Sequence, residues 1–211
     1  MEFDMRELPL AQRYKILGST ITPRPIAWVT SISGAGVINA APFSFFNCVG
    51  VEPPLIVLGL LRDLKTGRMK DTATNLHETG EFTVNLVCES DGPVMNDTSA
   101  AAPPDVNELD YAGIATVPSR FVAPPRIASS PVNFECKVHQ LTDIGMQTVV
   151  LGEVLAAHIA DEFISDREKL YFDTPAMKLI GRTHGAGWYV RNSDSFVMER
   201  PDYDPERLPE G

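Results

Sequence analysis

The sequence predicts a mainly β protein: a barrel of antiparallel strands with a few helical inserts. Short extended runs recur along the chain, at 26–32, 37–46, 55–60, 81–87, 132–139 and 146–159. Turn-forming prolines and glycines punctuate the segments between them. Helical stretches are too few and too short to alternate with strands in a parallel sheet. The 211 residues are enough to bury one core, and no repeat or long linker divides them. The expectation is a single domain spanning 1–211, with its core at about 10–200 and a charged, proline-rich tail at 201–211.

Taken in order, residues 5–17 place Leu8, Leu10, Tyr14 and Leu17 on one side of a short helix that Gly18 ends. Pro23 and Pro25 then force extended backbone at Thr22 and Arg24. The strand Ile26 to Ile32, the turn Ser33 to Gly36 and a second run from Val37 to Phe46 read as a hairpin. Thr30, Ser31, Asn39, Ser44 and Asn47 stand there among Ala27, Ala40 and Ala41. So many small residues leave room for a flat ligand, and the hairpin reads as a cofactor cradle. Trp28 reads as packing.

Glu52-Pro53-Pro54 breaks the chain before a buried strand at Leu55 to Leu60. A helix is expected to start at Asp71 or Thr72, with those side chains as caps, and to stop at Gly80. Glu81 to Val87 alternates as a strand, with Phe82, Val84 and Leu86 on one face. Ser90 to Pro104 is small and polar, and Asp105 to Ala112 suggests a helical turn. Val132 to His139 alternates between an apolar and a polar face, and Met146 to Ile159 reads as a strand bulged at Gly152. Arg167 to Leu170 begins a short helix.

Composition excludes several functions. A net charge of −10 weighs against nucleic-acid binding. No apolar run is long enough to span a bilayer, and the acidic, mixed N-terminus is not a secretory signal. Cys48, Cys88 and Cys136 read as free thiols of a cytoplasmic protein, Cys48 as a buried and inert one. His77, His139, His158 and His184 share no ligand spacing, so no metal is expected. Gly34-Ala35-Gly36 and Gly185-Ala186-Gly187 lack the third glycine and the βαβ setting of a dinucleotide fingerprint.

One basic stretch stands out in this acidic chain: Arg62, Lys65, Arg68 and Lys70, just before the helix start. Free N–H groups at a helix N-terminus attract phosphate, and nearby Lys or Arg strengthens the site. Thr66, Thr72 and Asn75 add further donors, while a solvated loop is the competing reading. His184, set among glycines beside Trp188, is a candidate pocket residue. With no triad, metal or carboxylate pair, the catalytic residues are unassigned and the chemistry points to a borrowed cofactor.

Several motifs together carry a resemblance. They are Tyr14-Lys15-Ile16-Leu17, Pro23 to Ser31, Asn39 to Asn47, Lys70-Asp71-Thr72 with Asn75, and Gly80 to Leu86; Gly185 to Tyr189 fits more loosely. The chain resembles the flavin reductase-like, FMN-binding split-barrel family that includes flavoredoxin, over residues 10–200. The resemblance implies a six-stranded antiparallel split barrel of Greek-key type, which dimerises and holds FMN at or near the subunit interface. By that likeness Arg24, Pro25, Ile26 and Ala27, with Val29, Thr30 and Ser31, line the isoalloxazine and ribityl chain, largely through backbone groups. Ala41, Phe43, Ser44, Phe45 and Asn47 continue the cradle, and Lys70, Asp71 and Thr72 meet the phosphate. The implied activity is hydride transfer from NADH or NADPH to the flavin. The alternatives are an FMN-bound electron carrier without a nicotinamide site and a non-enzymatic flavin-binding module.

Overall fold

The computed structural model describes residues 1–204. Its main sheet is built from β1 (Ala27–Ile32), β2 (Ile38–Phe43), β3 (Phe46–Val51), β4 (Pro54–Leu61), β5 (Glu81–Leu86), β6 (Val132–Ile144) and β7 (Gln147–Ile159). All pairings are antiparallel, in the order β2-β1-β5-β6-β7-β4-β3. The two outermost strands, β2 and β3, are consecutive in sequence and joined by the corner Ser44–Phe45. Across that corner the Gly59 N–H on β4 donates to the Phe45 carbonyl at 2.7 Å. The sheet thus curls into a barrel. Counting Ile38 to Val51 as one bent strand gives the expected six, and the run anticipated through Phe46 breaks because its halves pair with different neighbours.

The barrel interior holds Val29, Phe43, Ile56, Leu58, Leu60, Phe82, Val84, Cys136 and Val150. Helix α2 (Asp71–Thr79), on the crossover from β4 to β5, adds Ala73 and Leu76 to that core. A second cluster, with Ile26, Trp28, Ala40, Val87, Met95, Leu109 and Ile127, lies outside the barrel. Helices α3 (Gly92–Asp97) and α4 (Glu108–Tyr111) contribute to it. Burying a large apolar side chain is worth about 1.5–3 kcal/mol, so Trp28 and Phe82, both 0% exposed, anchor the two clusters.

Strand β1 is therefore covered on both faces, and its small polar residues satisfy protein groups. Thr30 Oγ1 donates to the Pro125 carbonyl at 2.6 Å, and Asn75 Nδ2 donates to Ser31 Oγ at 3.0 Å. Trp28 Nε1 donates to Thr98 Oγ1 at 2.9 Å. On the neighbouring strand, Asn85 Nδ2 donates to the Trp28 carbonyl while its Oδ1 accepts from Ile127 N–H and Asn133. These bonds fasten the irregular segment 118–131 to the sheet, because a buried polar group without a partner is costly.

Several boundaries differ from expectation. Helix α1 (Leu10–Thr20) starts after Pro9 and runs past Gly18, which lies buried within it. The Arg24 guanidinium donates to the carbonyls of Gly18 and Ile21, closing the last turn from outside. No side chain caps α2, so Asp71 and Thr72 do not play that role, whereas Gly80 ends the helix in the left-handed conformation expected of it (φ 68°). Arg167 to Leu170 is a turn between Ile164–Asp166 and Tyr171–Phe172, with Leu170 at φ 55°. Within the small polar segment from Ser90, α3 forms where the sequence offered no periodicity. The bulge at Gly152 is present, and the polar face read for β6 is partly buried, with Glu135 0% exposed. Residues 205–211 of the anticipated tail lie outside the described residues.

Candidate functional site

Two cavities meet at the corner between β2 and β3. The first, about 350 Å³, has Tyr14, Phe43, Ser44, Phe45, Gly59 and Tyr189 in its walls. The second, about 540 Å³, runs past Arg68, Lys70, Asp71 and Thr72 to Glu108. Pro42, Phe43, Lys70 and Ser99 belong to both.

The first cavity is aromatic by construction. Helix α1 brings Tyr14 over Phe45, with ring centroids 5.9 Å apart. Phe45 in turn packs against Gly59, where a Cβ would lie 3.1 Å from the Phe45 Cβ, so glycine permits the close approach. A hairpin of Ile180–Arg182 and Tyr189–Arg191, paired to Arg24–Pro25, supplies Arg182, Ala186, Gly187 and Tyr189. The Arg182 guanidinium carbon lies over the Tyr189 ring, 4.8 Å from its centroid.

Lys70 stands where the cavities join, its Nζ 5.9 Å from the Phe43 ring centroid. It directly precedes the uncapped first turn of α2, whose N–H groups favour an anion. Deeper in the second cavity, burial raises the pKa of the Asp71 carboxyl, with Arg68 opposing. Burial also raises that of Glu108, and Asp71 adds to the effect; hydrogen bonds from the Ala40 N–H and Asn39 oppose it.

The residues expected to bind the ligand divide into two groups. Ile26, Phe43, Ser44, Phe45 and Lys70 line the first cavity, and Ala41, Asp71 and Thr72 the second. Ala27, Val29, Thr30 and Ser31 are 0% exposed and line neither, their side chains serving the core and the bonds to segment 118–131 and α2. Arg24 and Pro25 also lie outside both. The Arg24 side chain is committed to Gly18, Ile21, Ser44 and Thr183. Thr72 turns its hydroxyl inward to Asn39. Asn47 is exposed on β3 and accepts from the Cys48 N–H. Cys48, expected to be buried, is exposed on the same strand. His184 stacks on Trp188, with centroids 5.4 Å apart, and lines neither cavity.

Sequence reasoning missed Asn96, Ser99, Glu108, Arg182 and Tyr189 as cavity residues. Ser99 and Asn96 sit in a featureless small polar segment, and Glu108 is brought in by a single helical turn. The alternation of Arg182 and Tyr189 around glycines was the one signal available. Among the described residues no cluster of His, Cys, Asp and Glu is placed to hold a metal, and no helix is long and apolar enough to cross a membrane.

A family profile described as "Flavin reductase like domain" matches residues 18–178. The chain belongs to the flavin reductase-like family. A Deinococcus radiodurans protein is 38% identical over 205 residues, covering 95% of this chain and 90% of its own length. The structure of Pseudomonas fluorescens 2-nitrobenzoate 2-nitroreductase NbaA superposes with a TM-score of 0.87 at 32% identity, over 99% of this chain and 100% of that one. Nitrilotriacetate monooxygenase component B from Bacillus cereus gives 0.86 at 31% identity, over 94% and 98%. The split-barrel architecture and the flavin reductase-like family anticipated from the motifs are thus both established for this chain.

Proposed function

We propose that the chain is an FMN-dependent oxidoreductase that accepts a hydride from NADH or NADPH, working as a cytoplasmic homodimer. The observation that carries this reading is the join at Lys70: an aromatic-walled cavity opens beside a cationic, uncapped helix start. That is the polarity of a flavin mononucleotide, a flat ring joined through a flexible chain to a phosphate. The residues fit the group. Phe43, Ser44, Phe45 and Tyr14 would hold the ring, and Lys70 with the first N–H groups of α2 would hold the phosphate.

When bound, the flavin supplies the two-electron chemistry. The protein positions reactants, excludes water with its aromatic wall and neutralises the phosphate. The nature of the two solved relatives, a nitroreductase and a monooxygenase component, is consistent with a redox role. Dimerisation is supported by β3, an edge strand that presents Val49 and Val51 to solvent at 53% and 86% exposure and continues directly from the cavity residue Phe45.

An anaerobic titration tests the reading. FMN-loaded protein should bleach at the flavin absorbance on addition of one equivalent of NADH or NADPH. Protein that retains no flavin after gel filtration and does not quench its fluorescence has no FMN site.

A further inference from the structure

The first cavity is electrostatically unlike the rest of the molecule. The chain has 28 acidic and 18 basic residues, yet this cavity's wall carries two cations, Lys70 and Arg182, and no carboxylate. Among the described residues neither cation has a carboxylate within ion-pair distance. Lys70 opens onto both cavities, whereas Arg182 faces the first alone. On the reading above, Lys70 and the start of α2 are occupied by the flavin phosphate. Arg182 then remains as a cation without an anion.

The local geometry keeps Arg182 ready. Its place on the Ile180–Arg182 strand is fixed by pairing with Tyr189 on one side and Arg24 on the other. The guanidinium lies over the Tyr189 ring, and Nη2 donates to the Gly185 carbonyl at 3.2 Å. Among the described residues, Nε and Nη1 have no protein partner. A guanidinium held over an aromatic ring with free donors matches a carboxylate or phosphate, and little side-chain entropy is lost on binding. The buried Arg24 lies close enough for the two charges to interact. Their combined field favours an anion at this end of the cavity.

We propose that Arg182 is the residue that selects the second substrate, a planar aromatic compound bearing an anionic group, and that Tyr189 backs it. This rests on the flavin reading of the same cavity. Two sources share that chemistry: the phosphate of a nicotinamide nucleotide and the carboxylate of an aryl acid.

Calorimetric titration of the FMN-loaded protein separates them with matched pairs, nicotinamide mononucleotide against nicotinamide riboside and benzoate against benzamide. In wild type, at least one anionic ligand should bind more tightly than its partner without the anion. Arg182→Ala should weaken that ligand by about tenfold or more, as expected for losing one charge-assisted bond. The partner should change by less than about twofold, and Arg182→Lys should fall between. FMN affinity, read separately by fluorescence quenching, should stay within about twofold in Arg182→Ala. Equal weakening of both members of a pair, no weakening of either anion, or no preference for an anion in wild type overturns the proposal. Loss of FMN from Arg182→Ala also overturns it and assigns Arg182 to the flavin. Wild-type protein that binds no FMN rejects the underlying reading, and this proposal with it.

Discussion

The hydroxyl of Thr72 donates to Asn39 Oδ1 at 2.7 Å, turned into the protein at a position where the family resemblance implies a phosphate contact. Asn39 in turn donates to Glu108 Oε1 at 2.8 Å, so the bond joins α2 to β2 and α4. Thr72 and Lys70, neighbours of one motif, therefore have separable roles. Thr72→Val should cost about 1–2 kcal/mol of stability, since it leaves buried Asn39 short of a donor, and should leave FMN affinity nearly unchanged. Lys70→Ala should leave stability unchanged and weaken FMN by about 1–2 kcal/mol, the figure for a partly solvated charge-assisted bond. Riboflavin, which lacks the phosphate, should bind Lys70→Ala and wild type equally. Urea midpoints and fluorescence quenching check both arms.

The same pair marks how far the sequence could be read. Signals that act within one element were legible: the left-handed stop at Gly80 and the bulge at Gly152. The motif succession also singled out Lys70, which lines both cavities. Partners from distant segments were not legible. Thr30 and Ser31 look like ligand-facing residues until the Pro125 carbonyl and Asn75 fold over them. Arg24 looks free until the Gly18 and Ile21 carbonyls of α1 reach it. A small polar residue in a strand has the same local pattern whether it meets a cofactor or a loop; burial on the second face decides which.

Gly152 on β7 leaves space that the Phe82 ring occupies, so a Cβ there would collide with Phe82 Cζ and press on Ile56. Phe82 is 0% exposed and cannot swing outward. Gly152→Ala should destabilise the barrel by about 1–3 kcal/mol, the usual cost of overpacking. The companion substitution Phe82→Leu should recover part of that loss in the double variant. Independent, additive effects of the two changes in urea denaturation would show that the ring and the bulge are not coupled.

The three thiols should react in an order set by exposure. Cys48 is exposed on β3. Cys88, half-buried, contacts Ser90 and Asp91 Oδ2. Cys136 is buried in the barrel, and burial, with Glu135 adding to it, pushes its thiol pKa far up. Only thiolate reacts. Iodoacetamide under native conditions should label Cys48 first and Cys136 only after unfolding, as peptide mass mapping would report. If β3 forms the dimer contact, Cys48 labelling should slow as protein concentration rises.

Glu135 is the buried acid on which segment 118–125 hangs. Its carboxylate accepts the Arg120 and Phe121 N–H groups and lies 2.6 Å from His158 Nε2. Burial alone would raise its pKa, but the two N–H donors and His158 outweigh that, and the value falls below the ordinary 4.5. A carboxyl whose folded pKa is depressed contributes stability that is fully present above its unfolded pKa, and the contribution is lost as pH falls through the folded value. Glu135→Gln keeps the shape but loses the charge and points an amide N–H at a backbone donor. It should cost about 1–3 kcal/mol at pH 7. The gap between wild type and Glu135→Gln in urea midpoints should hold steady down to about pH 4.5 and narrow only below it. A gap that stays constant through pH 3 would mean that the ionised carboxylate is not what holds the segment. A gap that already closes between pH 7 and 5 would shift the control to another group.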